Sequence, residues 1–464
     1  MRLSLLCLVC LVPFAVRGQS KRFDSRPLEI TDVTVIDTAG GPVKPELTII
    51  VEGNRISQVG DAKKVHAPKG AQVVNARGLY AIPGLWDMHV HIRETDRSFP
   101  LLIANGVLGV RNMGGRLDEL KRWRTQIVNG ELLGPRLVFS GPLVDGLNPM
   151  SPDDSMVVHN PAEARAAVDS LKQSNVDFIG VSADLMVEEY NAVAEESKKV
   201  GVPFAGDLPQ GVWATDASSA GQLSIEHLAG SLEESSKNFD RIVHLNDAPP
   251  ASPAEKAAGE LDLLKLEAGG FDPERLKNLI ALFVNDGTRQ VPMLVSSRIL
   301  SSLGDSAIAN DPRFAKISPQ MRKEWNEMRD RLIADKPPEY WSLRKAAYQQ
   351  EMAITREYHR GGVSILGGTG AGDTPFVIPG YDLHEELAAL VEAGFTPLEA
   401  LQSVTLDAAK LLDRSDEFGQ VANGKDADLV LLDANPLEDI HNTRKIRAVV
   451  VQGKYLDRAA LDAM

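Results

Sequence analysis

The sequence predicts an α/β protein, a (β/α)8 TIM-like barrel that carries a small composite β-sandwich built from both chain ends. Three observations carry that prediction. Between residues 81 and 412 short apolar runs alternate with helical stretches, the sequence sign of parallel β/α units. Eight such runs can be counted, enough to close a barrel. Alternating or β-branched runs fill 27–80 and recur in 413–458, and neither set is long enough to bury a good core alone. The expected division is therefore a signal segment at 1–18, the N-terminal half of the sandwich at 27–80, the barrel at 81–412 and the C-terminal half of the sandwich at 413–458.

The chain opens with Arg2, an apolar run over 3–16 and the small residue Gly18 before Gln19. That is a secretory signal in outline, too short for the ~20 residues of a bilayer span. An exported protein, periplasmic or secreted, is expected. Cys7 and Cys10, the only cysteines, both lie in this segment, so the mature chain has no thiol and its fold rests on packing. Loss of Arg2 and Arg17 moves the formal charge from −14 to −16. So acidic a surface argues against nucleic acid and anionic membranes as partners, and leaves homo-oligomer formation open.

The first β-unit comprises runs at 30–36, 47–51, 56–59 and 72–75, punctuated by Gly40-Gly41, Gly53-Asn54 and Pro68-Lys69-Gly70. Its counterpart holds runs at 429–432 and 448–451, followed by Gly453-Lys454. Barrel strands are expected at 82–89, 107–112, 136–140, 178–182, 203–206, 224–227, 291–296 and 363–367. Apolar residues at three- and four-residue spacing predict helices at 162–173, 186–200 and 383–393. The stretch 232–276, with Pro249-Pro250 and Pro253, reads as an elaborated loop over the barrel mouth. A second insert, 304–360, reads as helical, charged and packed outside.

Reactive groups of such barrels sit at the carboxyl ends of the strands. The first barrel run ends in Asp87-Met88-His89-Val90-His91. Alternation along a strand puts Asp87, His89 and His91 on one face, with Met88 and Val90 on the other. Two imidazoles at i and i+2 can reach one metal ion, with Asp87 placed to orient one of them from behind.

The segment Pro83-Gly84-Leu85-Trp86-Asp87-Met88-His89-Val90-His91 resembles the first-strand motif of the metal-dependent amidohydrolase superfamily. The likeness runs from about residue 28 to about residue 457 and is closest to the imidazolonepropionase-like and prolidase-like branch. It implies that His227, in Ser224-Ile225-Glu226-His227-Leu228, is a further metal ligand. Three positions depart from the family pattern. Gly180 stands where a carboxylated lysine would bridge two metals, Asp207 where strand five carries a histidine, and Gly370 where strand eight carries the catalytic aspartate. The resemblance thus leaves His89, His91, Asp207 and His227 as ligands for one divalent ion, expected to be Zn²⁺, and makes a second ion unexpected.

Asp373, on the Gly-rich turn three residues past Gly370, is the expected substitute base, with Asp207 the other carboxylate able to serve in catalysis. The implied reaction is hydrolysis of an amide-type carbon–nitrogen bond by metal-activated water, on a small-molecule amide, N-acyl amino acid or dipeptide. The competing reading is a barrel that binds such a molecule without turnover. Arg111 and Asn112 could reach substrate, His159 and His244 could replace a ligand, and His384 is expected as a helix-surface or capping contact. For each of these five a structural role is the simpler reading.

Overall fold

A computed structural model describes residues 26–246 and 252–464, so the expected export signal and the Pro249-Pro250 turn lie outside the described residues. Strands Leu85–Val90, Val107–Asn112 and Arg136–Phe139 form one parallel sheet. Ile179–Val181, Phe204–Gly206, Ser224–Glu226 and Arg289–Val291 continue in a second, edged by Leu143–Asp145 and Ser155–Val157. Two junctions close the ring. The Asp177 amide donates to the Phe139 carbonyl at 3.0 Å, and Ile365 bridges Gln290 while the Met88 amide donates to the Gly367 carbonyl at 3.0 Å. The eighth run, 363–367, is therefore a single bridge rather than a ladder.

The seventh strand falls earlier than expected. It ends at Val291, and the helix Leu294–Ser301 begins inside the stretch 291–296 that the sequence predicts as strand. Pro292 has no amide hydrogen to extend the ladder, and Met293 turns the chain at φ 49°.

Side chains from several strands, among them Trp86, Met88, Val138, Ala205, Val291 and Leu366, meet in one buried cluster. A larger cluster lies between the strands and the surrounding helices. The helix Pro161–Gln173 shows how these helices are specified. Asn160 caps it by accepting from the Glu163 amide at 3.0 Å, proline occupies its first position, and Ala164, Ala167, Val168 and Leu171 bury one stripe. Each buried Val or Leu contributes about 1.5–3 kcal/mol. Its neighbour Val187–Val200 stops at Gly201, which takes φ 67°.

Both chain ends enter one eight-stranded sheet. Leu429–Leu432 runs antiparallel to Tyr80–Pro83, with Val430 opposite Ile82, and Ile446–Val451 and Lys454–Asp457 follow outward. On the other side of Tyr80–Pro83 lie Leu28–Val35, Lys44–Glu52 and Arg55–Asp61. Alternation divides the strands from the far end between two cores. Leu429, Leu431, Ala448 and Val450 join Leu28, Ile30 and Ile49, whereas Val430, Leu432, Val449 and Val451 join the large cluster around the barrel.

The stretch expected as a loop is helical. Ser231–Ser235, Phe239–Asn246, Pro253–Glu267 and Pro273–Asp286 pack over the barrel, and Pro253 starts a helix behind the Ser252 cap instead of breaking one. Within 304–360 the helices Pro319–Ile333 and Pro338–Arg360 form as expected. The second is not peripheral, since it buries Tyr348, Glu351, Met352, Ile354 and Tyr358. Among the described residues no helix is long and apolar enough to cross a membrane.

Candidate active site

A cavity of about 230 Å³ opens at the carboxyl ends of the barrel strands, and His89, His91, Asp207, His227 and Asp373 all line it. His89 and His91 stand closest, with their Nε2 atoms 3.1 Å apart. The other ring nitrogen of His89, Nδ1, lies 2.8 Å from Glu226 Oε2. Glu226 is fully buried. Burial would raise its carboxyl, but Arg111 foremost, with His89 and Ser224, outweighs it and holds the group at about 2. An ionised carboxylate only accepts, so Nδ1 carries the proton and Nε2 turns a lone pair to the cavity. Burial holds the His89 ring at about 4, and lowers that of His91 as well, so both are neutral at pH 7.

This corrects the expectation for Asp87. Its carboxylate accepts from the Thr369 hydroxyl at 2.6 Å, the Thr369 amide at 3.0 Å and the His89 backbone amide at 3.3 Å, and burial pushes it up to about 7. No ring is oriented by it. The reason is local: register shifts at Leu85/Trp86 and Asp87/Val90 interrupt strict alternation in the first strand. Met88 and Val90, expected on one face, accordingly enter different cores.

Glu226 is the residue that sequence reasoning passes over, although it stands inside the segment quoted for His227. Arg111 is its anchor, donating to Glu226 Oε1 at 2.8 Å, Ser224 Oγ at 2.8 Å and the Met88 carbonyl at 2.6 Å. With no exposed surface it is a core residue rather than a substrate contact. Asn112 is likewise used internally, accepting from the Ile92 amide at 2.6 Å.

His227 follows the sixth strand in left-handed backbone, φ 59°, and Leu228 repeats it at φ 53°. Non-glycine residues there cost about 1–3 kcal/mol each, strain of a kind that gathers at functional sites. The His227 Nε2 lies 3.6 Å from Asp207 Oδ1. Burial raises the Asp207 carboxyl. Asp373 is lowered, first by His91 and then, against burial, by Arg93, whose guanidinium is 3.6 Å away.

The other candidates lie elsewhere. His159 is exposed and bonded to Glu163 at 2.8 Å, and His244 is exposed on Phe239–Asn246; neither lines the cavity. His384 is no surface residue: it is buried, bonding Thr443 Oγ1 at 2.9 Å and the Asn105 carbonyl at 3.0 Å.

His89 and His91 turn two donors toward one point. Two imidazole nitrogens 3.1 Å apart can share an ion about 2.0–2.1 Å from each. Among the described residues no three His, Cys, Asp or Glu side chains are gathered closely enough to hold an ion as they stand, so a third donor requires rotation of His227 or Asp207. At Gly180 the bridging position is walled off, because a Cβ there would meet Leu143 Cδ2 at 2.7 Å and Ser140 Oγ at 3.0 Å.

The sequence model of the amidohydrolase family matches residues 343–456. A dihydroorotase of Geobacter sulfurreducens is 31% identical over 150 residues, 32% of this chain and 34% of that protein. The match thus spans about a third of the length of that curated relative. Among solved structures, bottromycin amidohydrolase superposes with a TM-score of 0.72 at 24% identity, covering 94% of this chain and 88% of that one. A Xaa-Pro dipeptidase with bound methionine in the active site gives 0.65 at 21%, covering 93% and 100%. The chain shares the (β/α)8 barrel fold of these solved structures. The solved structures it resembles include prolidases as well as this dipeptidase.

Proposed function

We propose that the chain is a hydrolase of carbon–nitrogen bonds in small amides, with dipeptides and N-acyl amino acids as its substrates. The observation that carries this reading is the His89–His91 pair, its first ring locked by Glu226, set in a cavity that Asp207 and Asp373 also line. His89 and His91 would hold one Zn²⁺, with His227 and Asp207 the nearest further donors. Bound there, the ion supplies Lewis-acid polarisation of the amide carbonyl and acidifies water.

The chain's own residues do the rest. Glu226, anchored by Arg111, keeps His89 Nε2 facing the cavity. Asp373 stays ionised beside His91 and Arg93, placed to take a proton from the attacking water and pass it to the leaving nitrogen. The names of the superposed proteins, an amidohydrolase and a dipeptidase, support an amide-type substrate. Export belongs to the same reading and rests on residues 1–18 and the confinement of both cysteines to them. A chain retained in the cytoplasm and still beginning at Met1 would refute it.

One specific observation favours a second reading, binding without turnover: the bridging-lysine and strand-eight aspartate positions are Gly180 and Gly370, and packed side chains fill both surroundings. A screen of dipeptides and N-acyl amino acids with Zn²⁺-supplied native protein and Asp373→Ala separates the two. Hydrolysis is expected in native protein, with a loss of roughly 10²–10⁴-fold in the variant, and with at most one equivalent of zinc after dialysis in both. Saturable binding without turnover, unchanged by Asp373→Ala, would establish the second reading.

A further inference from the structure

A second cavity, of about 210 Å³, shares His227 with the first and lies under the helices inserted over the barrel. Three carboxylates line it, each from a different helix: Glu233 from Ser231–Ser235, Glu267 from the end of Pro253–Glu267, and Glu351 from Pro338–Arg360. Arg344 is the only lysine or arginine among the residues lining it, and it forms no ion pair with any of the three among the described residues.

Glu267 is the telling member. It is 7% exposed, and among the described residues its carboxylate has no hydrogen-bond or ion-pair partner. Glu351, 6% exposed, accepts from the Ser297 hydroxyl through one oxygen, and its other oxygen takes no bond among the described residues. A buried carboxylate without a partner is destabilising, and two more beside it add repulsion. Glutamine or methionine would pack there at less cost. Such an arrangement is understandable where a positive group arrives from outside.

We propose that this recess binds a cationic group of the substrate, an ammonium or guanidinium, while the amide to be cleaved lies on the other side of His227 against His89 and His91. The inference rests on the hydrolase reading above and adds to it a substrate class, amides bearing a positive charge. Burial raises the carboxyls of Glu233, Glu267 and Glu351, and Arg344 offsets this only in part at Glu267 and Glu351. The two inserts supply all three carboxylates of the recess, while His227, Met293 and Ser296 at the barrel mouth complete its wall.

Calorimetric titration of the full chain with three compounds tests it. N-acetyl-arginine carries the cation on its side chain, alanyl-citrulline carries it on its amino terminus, and N-acetyl-citrulline has none. One or both cationic compounds should bind at least about tenfold more tightly than N-acetyl-citrulline, and the tighter of them identifies which cation the recess takes. Glu267→Gln and Glu351→Gln should each bring that ratio to within about twofold while N-acetyl-citrulline binds as before. Glu267→Gln should also raise the melting temperature of the unliganded chain, because it replaces a buried acid whose ionisation the surroundings oppose. Equal affinities in native protein, a preference that survives both variants, or no binding of any of the three would overturn the proposal. Turnover of the same compounds separates its failure from that of the parent reading. Preference without hydrolysis removes the hydrolase and keeps the recess; hydrolysis without preference does the reverse.

Discussion

Gly370 takes φ 70°, and a Cβ there would come within 2.8 Å of Ser296 Oγ and 3.1 Å of Thr374 Oγ1. Those two hydroxyls bond each other at 3.0 Å, and Ser296 also donates to the Thr369 carbonyl at 2.5 Å. A side chain at 370 must therefore adopt left-handed backbone and displace a buried hydrogen-bonded pair. Gly370→Asp, the change that would reinstate the family's aspartate, should cost about 2–4 kcal/mol, the sum of αL strain and a lost hydrogen bond. Urea denaturation reads this directly, and an unchanged midpoint would show that the loop relaxes around the new carboxylate. Gly180 is closed off in the same way by Leu143 and Ser140. At both positions a new side chain would meet packed neighbours, so substitution there has to displace them.

Among the elements, Leu429–Leu432 matters most for integrity, because it zips onto Tyr80–Pro83 and sends alternate side chains into two different cores. Truncation after Asp413 removes it with Ile446–Val451 and Lys454–Asp457, leaving an open strand edge and two apolar faces. Insoluble protein is expected; soluble, monomeric truncate with native far-UV dichroism would contradict the shared sheet. The same elements explain what is legible in the sequence. Parallel strands such as Val107–Asn112 announce themselves as short runs that open on apolar residues, and the composite unit by its repetition at both ends. The inserted helices stay hidden because a proline that opens a helix, like Pro253, looks in sequence like one that breaks it. Glu226 escapes notice because its role depends on Arg111, delivered from another strand, and no spacing within one segment encodes that pairing. Asp87 is misassigned because a bulge is invisible to a rule of strict alternation.

For the whole molecule the buried acids set the pH response. Glu386, which accepts from the Val295 amide at 2.7 Å while its other oxygen has no partner among the described residues, is pushed up to about 8 by burial, and Asp382, also in the helix Tyr381–Glu392, to about 7. Unfolded, both would ionise near the ordinary carboxylate range, about 4. The folded chain therefore binds more protons than the unfolded one between those limits. This contribution is complete below about pH 4 and is lost as pH rises through about 7–8. His384 acts oppositely. Burial lowers it to about 4, so its contribution is present above its unfolded value of about 6.5 and is lost as pH falls through 4. The two windows oppose each other between about pH 4 and 6.5, and only the acids act above it. The formal charge of −14 adds self-repulsion that grows in the same alkaline direction. The melting temperature should therefore decline from about pH 6.5 to about pH 8, and Glu386→Gln, which cannot ionise, should flatten that decline. A melting temperature that holds level or rises over that range, or a variant with the native slope, would mean that these carboxyls are ionised in the fold and paired with a cation.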